Sequence, residues 1–92
     1  MVVRKRYVFH GRVQGVGFRM FCRDEALNYR IRGSVRNRPD GSVEMEAEGP
    51  AGVLSDLVDR LKTSHAWARV DFVEEMDAAP HQDETEGFEI AF

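Results

Sequence analysis

The apolar and polar positions along this 92-residue chain change their period several times, and each change marks a structural element. Tyr7-Val8-Phe9-His10 is rich in β-formers and predicts a first strand over residues 4–12. Gly11-Arg12-Val13-Gln14-Gly15-Val16-Gly17 overlaps its end, and three glycines in seven residues suit neither a strand nor a helix interior, so a shaped loop is expected. From Phe18 the spacing turns helical: Phe18, Phe21, Cys22, Glu25, Ala26 and Tyr29 fall at i, i+3, i+4, i+7, i+8 and i+11, with Glu25 as a polar breach at the margin of the stripe. Residues 31–37 predict a second strand, Arg38-Pro39-Asp40-Gly41 a turn, and residues 42–48 a third strand in which Val43, Met45 and Ala47 alternate with Glu44, Glu46 and Glu48. Gly49-Pro50 then punctuates the chain. Pro50 suits the first turn of a second helix, whose apolar face is Val53, Leu54, Leu57, Val58 and Leu61. Residues 67–75 predict a fourth strand around Val70, Phe72 and Val73, and a polar loop from His81 to Glu86 leads to a short last strand with Phe88, Ile90 and Phe92.

The order is β-α-β-β-α-β followed by a terminal β. Two split β-α-β units predict an α+β, ferredoxin-like α/β sandwich: an antiparallel sheet with both helices on one face. Right-handed crossovers make the first and second strands parallel, with the third antiparallel between them. The C-terminal ends of the first and second strands then share one edge of the sheet. The glycine loop leaves the first strand there and Asn37 ends the second, so topology alone brings Asn37 towards the loop. No repeat, low-complexity segment or linker divides the chain, and residues 1–92 are expected to form a single domain. A core of this size leaves any site shallow and at its edge.

Charge sharpens the picture. The net charge of −3 hides an asymmetry: residues 1–38 carry ten Lys and Arg against two Asp and Glu, whereas residues 39–92 carry three against fourteen. A basic half suits an anionic ligand; more simply, the two halves neutralise each other across the fold. No apolar run approaches the roughly 18 residues of a membrane span, and no apolar stretch follows Arg4-Lys5-Arg6, so neither membrane insertion nor secretion is expected. The single Cys22 excludes an internal disulfide and a four-cysteine metal site, and a reducing, cytoplasmic setting fits it best. On the apolar stripe of the first helix, Cys22 reads as a packed thiol rather than a nucleophile.

A glycine loop that runs into a helix start gathers backbone N–H groups at the positive end of the helix dipole. Arg19, the second residue of that helix, adds a guanidinium suited to two-point contact with phosphate or carboxylate. Gln14, Gly15, Val16, Gly17, Phe18 and Arg19 therefore read as a cradle for a small oxyanion; more simply, the glycines only permit a tight turn. The pattern is neither a nucleotide P-loop nor a dinucleotide fingerprint, and Cys22 follows the arginine instead of preceding the loop, unlike a cysteine phosphatase. His10, His65 and His81 are scattered, and no metal site is expected.

Gly11-x-Val13-Gln14-Gly15-Val16-Gly17-Phe18-Arg19, Gly33-x-Val35-x-Asn37 and Asp40-Gly41-x-Val43-Glu44, with Ala68-x-Val70 and Phe88-x-Ile90 further on, resemble the acylphosphatase family over nearly the whole chain. The resemblance implies the sandwich above and metal-independent hydrolysis of carboxyl-phosphate anhydrides with no cofactor. It makes Arg19 the phosphate-binding catalytic arginine and Asn37 the residue that positions water, with backbone donors from residues 14–18. It further implies a monomer acting on small acyl phosphates such as acetyl, carbamoyl or aryl acyl phosphate, open to competition by phosphate or sulfate. An open cleft with few contacts beyond the phosphate implies breadth towards the acyl group. Arg30 stands where the family usually has Gly, Ser34 where it has an aromatic, and Ser64-His65 where it often has Gly-Pro; these bear on packing and stability.

Two rival readings remain. A catalytically silent phosphate-binding module would share the fold, as in larger carbamoyl-transfer proteins, although the complete Arg19 and Asn37 pair argues for an enzyme. Nucleic-acid binding would use Arg30, Arg32, Arg36 and Arg38, which share one parity. Glu44, Glu46 and Glu48 on the neighbouring strand are expected to neutralise much of that stripe, and the basic-aromatic ribonucleoprotein signature and an aromatic stacking pair on the open face are missing.

Overall fold

The computed structural model describes residues 1–79 and 87–91. Its elements are β1 (Val2–Arg12), α1 (Phe18–Asn28), β2 (Arg32–Asn37), β3 (Val43–Pro50), α2 (Ala51–Thr63), β4 (Arg69–Ala78) and β5 (Phe88–Ile90). The sheet order is β4-β1-β3-β2-β5. The four long strands pair antiparallel, as expected, and β5 adds beside β2 in parallel, so the complete sheet is mixed. The polar loop of residues 81–86, with His81, and Phe92 of the expected last strand lie outside the described residues.

The period-2 strands put one face into the core. Tyr7 and Phe9 of β1, Val35 of β2 and Val43, Met45 and Ala47 of β3 are buried under the helices. Helix α1 buries Phe18, Cys22 and Ala26, and α2 buries Leu54, Leu57 and Leu61 against the same face. The polar breach in α1 is resolved between the helices, where Arg60 Nε of α2 donates to Glu25 Oε1 at 2.8 Å. Strand β4 starts later than the apolar pattern suggests, because Trp67 and Ala68 give their backbone N–H groups to His65 Nδ1. It also runs further, because the first half of β1 supplies partners as far as Arg4 opposite Ala78. Pro50 sits one residue outside the position expected of it: it ends β3 and is the N-cap of α2. Gly11 belongs to β1, not to the loop, at a register shift where any Cβ would meet the Arg69 carbonyl oxygen at 2.2 Å.

The opposite face carries the expected charge ladder. Glu48 lies between Arg4 and Arg32, Glu46 between Arg6 and Ser34, and Glu44 between Val8 and Arg36. Arg4 Nε meets Glu46 Oε1 at 2.8 Å, Arg36 Nε meets Glu44 Oε2 at 3.2 Å, and Arg32 pairs with Glu48. The arginine stripe is shorter than its parity suggests, because Arg30 precedes β2 and Arg38 follows it. One ring pair does lie on this face, contrary to expectation: His10 stacks on Phe72 at 4.3 Å, with His10 Nε2 2.7 Å from Glu74 Oε1.

Candidate active site

The loop between β1 and α1 takes its shape from two glycines in the left-handed region, Gly15 (φ 75) and Gly17 (φ 78). Gly17 is the N-cap of α1; no side chain caps this helix start, and no acidic residue stands in the first turn. The positive end of the helix dipole faces the loop, with no carboxylate of its own first turn beside it. Phe18 locks the first residue of the helix into the core, with its ring edge-on to Phe9 at 5.3 Å. That burial fixes where the neighbouring Arg19 leaves the backbone.

A second set of bonds ties the loop to the turn between β2 and β3. Gln14 Nε2 donates to the Arg38 carbonyl at 2.8 Å and to the Ser42 carbonyl at 2.9 Å. The turn closes on itself through Gly41 N–H to the Arg38 carbonyl and Arg38 N–H to the Ser42 carbonyl. Asp40 Oδ1 also accepts from Ser42 N at 2.9 Å and from Ser42 Oγ at 2.5 Å. These bonds hold the Asp40 carboxyl below its usual value of 3.8, the Ser42 hydroxyl contributing most. Asn37 is absent from this set. It is exposed, and its carboxamide makes no hydrogen bond among the described residues. A turn already closed by other groups does not need Asn37 as a cap.

Gly15, Gly17, Phe18, Arg19 and Asn37 line one cavity of about 300 Å³, and Ile90 of β5 forms part of its wall. The cavity lies at the shared edge of β1 and β2, where topology placed it. Val16 lines a neighbouring cavity instead, and Gln14 lines neither, its side chain being engaged by the hairpin. Cys22 is fully buried, and burial pushes its thiol far above the ordinary value, which fits a packing role. Among the described residues no group of three or more His, Cys, Asp or Glu is placed to hold a metal ion.

Sequence reasoning missed the bridging role of the Gln14 side chain and the wall residues Val13, Met20 and Ile90. Ile90 left a weak signal as a short apolar strand near the end of the chain. Its pairing with β2, through Gly33 opposite Phe88 and Ala91 N–H to the Val35 carbonyl, is what brings it to the site.

The family model described as Acylphosphatase matches residues 5–90. An acylphosphatase of Koribacter versatilis is 51% identical over 76 residues, covering 83% of this chain and 69% of the relative. One from Nitrobacter hamburgensis is 47% identical over 77 residues, covering 84% and 78%. The crystal structure of acylphosphatase from Bacillus subtilis superposes with a TM-score of 0.90 at 35% identity, over 100% of both chains. A likeness that runs through the glycine loop, Asn37 and the whole sheet at this level of identity leaves one conclusion: the chain belongs to the acylphosphatase family.

Proposed function

We propose that this protein hydrolyses the carboxyl-phosphate bond of small acyl phosphates to carboxylate and inorganic phosphate, with Arg19 and Asn37 as its catalytic residues and no metal or cofactor. The observation that carries this is the cavity shared by Arg19, Asn37 and the uncapped start of α1, in a chain of this family.

An acyl phosphate is already activated, because its leaving group is a carboxylate, and no strong general acid is required. What remains is to hold the phosphoryl group, offset its charge and aim a water in line with the departing oxygen. The backbone donors of residues 14–18 and the Arg19 guanidinium hold and neutralise the equatorial oxygens. The Asn37 carboxamide offers both a donor and an acceptor, so it can orient water without keeping its proton. Its lack of another partner among the described residues supports that role. The proton of the attacking water passes to the substrate phosphate. Inorganic phosphate and sulfate then compete for the same cradle.

The reading extends to a cytoplasmic monomer of one domain that acts without nucleic acid. Among the described residues no helix is long and apolar enough to cross a membrane, and the Arg–Glu pairs leave no continuous basic stripe on the open face. The test is hydrolysis of benzoyl phosphate in the presence of a chelator. Undiminished turnover with excess chelator, inhibited competitively by phosphate, is expected; turnover restored only by added metal ion would overturn the metal-independent reaction.

A further inference from the structure

A second cavity, of about 580 Å³, lies beside the first and shares Gly15 with it. Its other lining residues are Arg12, Val16, Ala66 and Trp67. Three features of this cavity go beyond what phosphate alone requires.

Trp67 is 75% exposed and takes part in no ring contact among the described residues. An indole is costly to leave in water, and the local structure nevertheless holds its backbone in place. His65 accepts the N–H groups of Trp67 and Ala68 on Nδ1, at 3.0 and 2.9 Å, and its ring is seated edge-on against Phe21 at 5.0 Å and Phe18 at 6.0 Å. The segment that carries Trp67 is thereby fixed to the start of α1, beside the cradle. The second feature is charge. Arg12 is exposed and forms no ion pair among the described residues, while Arg69 opposite it in the sheet is matched by Asp71 at 3.0 Å. The third is size: the volume falls in the range of about 300–1,000 Å³ typical of small-molecule sites, far more than an acetyl group fills.

We propose that this cavity is the acyl-group subsite, and that it favours acyl phosphates with a flat apolar body and a second anionic group. Val16 and Trp67 pack against the body, and Arg12 pairs with the distal anion. This deepens the hydrolase reading and rests on it. It also narrows the breadth expected of an open cleft, since the acyl group gains contacts of its own.

The experiment compares kcat/KM for acetyl phosphate, benzoyl phosphate and 4-carboxybenzoyl phosphate in the wild type, Trp67→Ala, Trp67→Phe and Arg12→Gln. Trp67→Ala should lower the benzoyl-to-acetyl ratio by about tenfold, the scale of one lost aromatic contact, with Trp67→Phe restoring most of it. Arg12→Gln should lower the 4-carboxybenzoyl-to-benzoyl ratio by about fivefold, the scale of one exposed charge pair. Ratios equal to the wild type in every variant would overturn the subsite, as would an equal loss on all three substrates. Trp67 is the only tryptophan, so its fluorescence reports occupancy directly. Its emission should shift on titration with 4-carboxyphenacylphosphonate, in which CH₂ replaces the bridging oxygen, and not with inorganic phosphate. A chain that cleaves none of the three substrates but gives this shift loses the hydrolase reading and keeps the subsite; a chain that cleaves them with a silent indole and unchanged ratios loses only the subsite.

Discussion

Arg19 and Asn37 line one cavity but offer different things to a bound phosphoryl group, and substitution should separate them. Arg19 brings a positive charge with a planar pair of donors. Arg19→Ala should lower kcat/KM by about 10³-fold or more, the scale of a lost charge partner in phosphoryl transfer. Arg19→Lys should rescue poorly, because an ammonium cannot make the two-point contact. Asn37, proposed to touch the water and not the phosphate, should behave otherwise: Asn37→Ala keeps phosphate inhibition within a few-fold of wild type while kcat falls by about 10²-fold, as misplacement of a reacting group can do. The turn closes without the Asn37 side chain, so melting temperature should hardly move. Normal turnover in a folded Asn37→Ala variant would remove the water-positioning role.

At the scale of elements, the end of α1 carries a local conflict. Arg30 takes φ 58 in the left-handed region directly after the helix, where glycine is ordinarily preferred. Its N–H still donates to the Leu27 carbonyl and Ile31 N–H to the Ala26 carbonyl, so the cap is made despite the Cβ. Arg30→Gly should therefore raise unfolding free energy by about 1 kcal/mol in urea titration, with kcat unchanged. A drop in stability would show that the arginine side chain contributes more than the strain removes. The β2–β3 turn gives a pH-dependent counterpart. Because the Asp40 carboxyl is held below 3.8 in the folded state, its stabilisation is present above the unfolded value and is lost as pH falls through the lower folded one. Asp40→Ala should melt below wild type at neutral pH, and the gap should close well below pH 3.8. A gap that stays constant to the acid end would mean that the Ser42 bonds do not depend on the charge of Asp40.

For the whole molecule, the charge asymmetry of the sequence becomes a row of pairs across the sheet. The two halves of the chain neutralise each other on the open face. The pairs are unequal. Arg4 and Glu48 are 8% and 9% exposed, and Glu48 Oε1, 3.6 Å from Arg4 Nη1, is buried without a hydrogen bond among the described residues. Arg36, in its pair with Glu44, is 56% exposed. Arg4→Ala should cost about 3 kcal/mol, because it removes a buried cation from beside the buried Glu48 carboxylate, whereas Arg36→Ala should cost less than about 1 kcal/mol. Equal losses in denaturant titration would mean that burial does not govern these pairs.

The elements, their order and the place of the candidate site are legible in the chain alone. Periods of 2 and 3.6 are local properties, written in which neighbours are apolar, and the handedness of crossovers turns their order into a topology. That was enough to bring Asn37 to the glycine loop, and the run from Gln14 to Arg19 was enough to suggest the family. Tertiary structure decided what depends on segments far apart in the chain. The side-chain amide of Gln14 finds two carbonyls 24 and 28 residues away, partners that its place in the glycine loop does not reveal. The last strand was legible as a strand, yet its parallel pairing with β2, and so the Ile90 wall, was not. Trp67 and Arg12 are unremarkable singly and form a cavity only when the α2–β4 loop is laid beside the end of β1. A side chain's partners are chosen among whatever groups folding brings within reach, and a choice worth about 1 kcal/mol per hydrogen bond leaves no periodic trace in the chain.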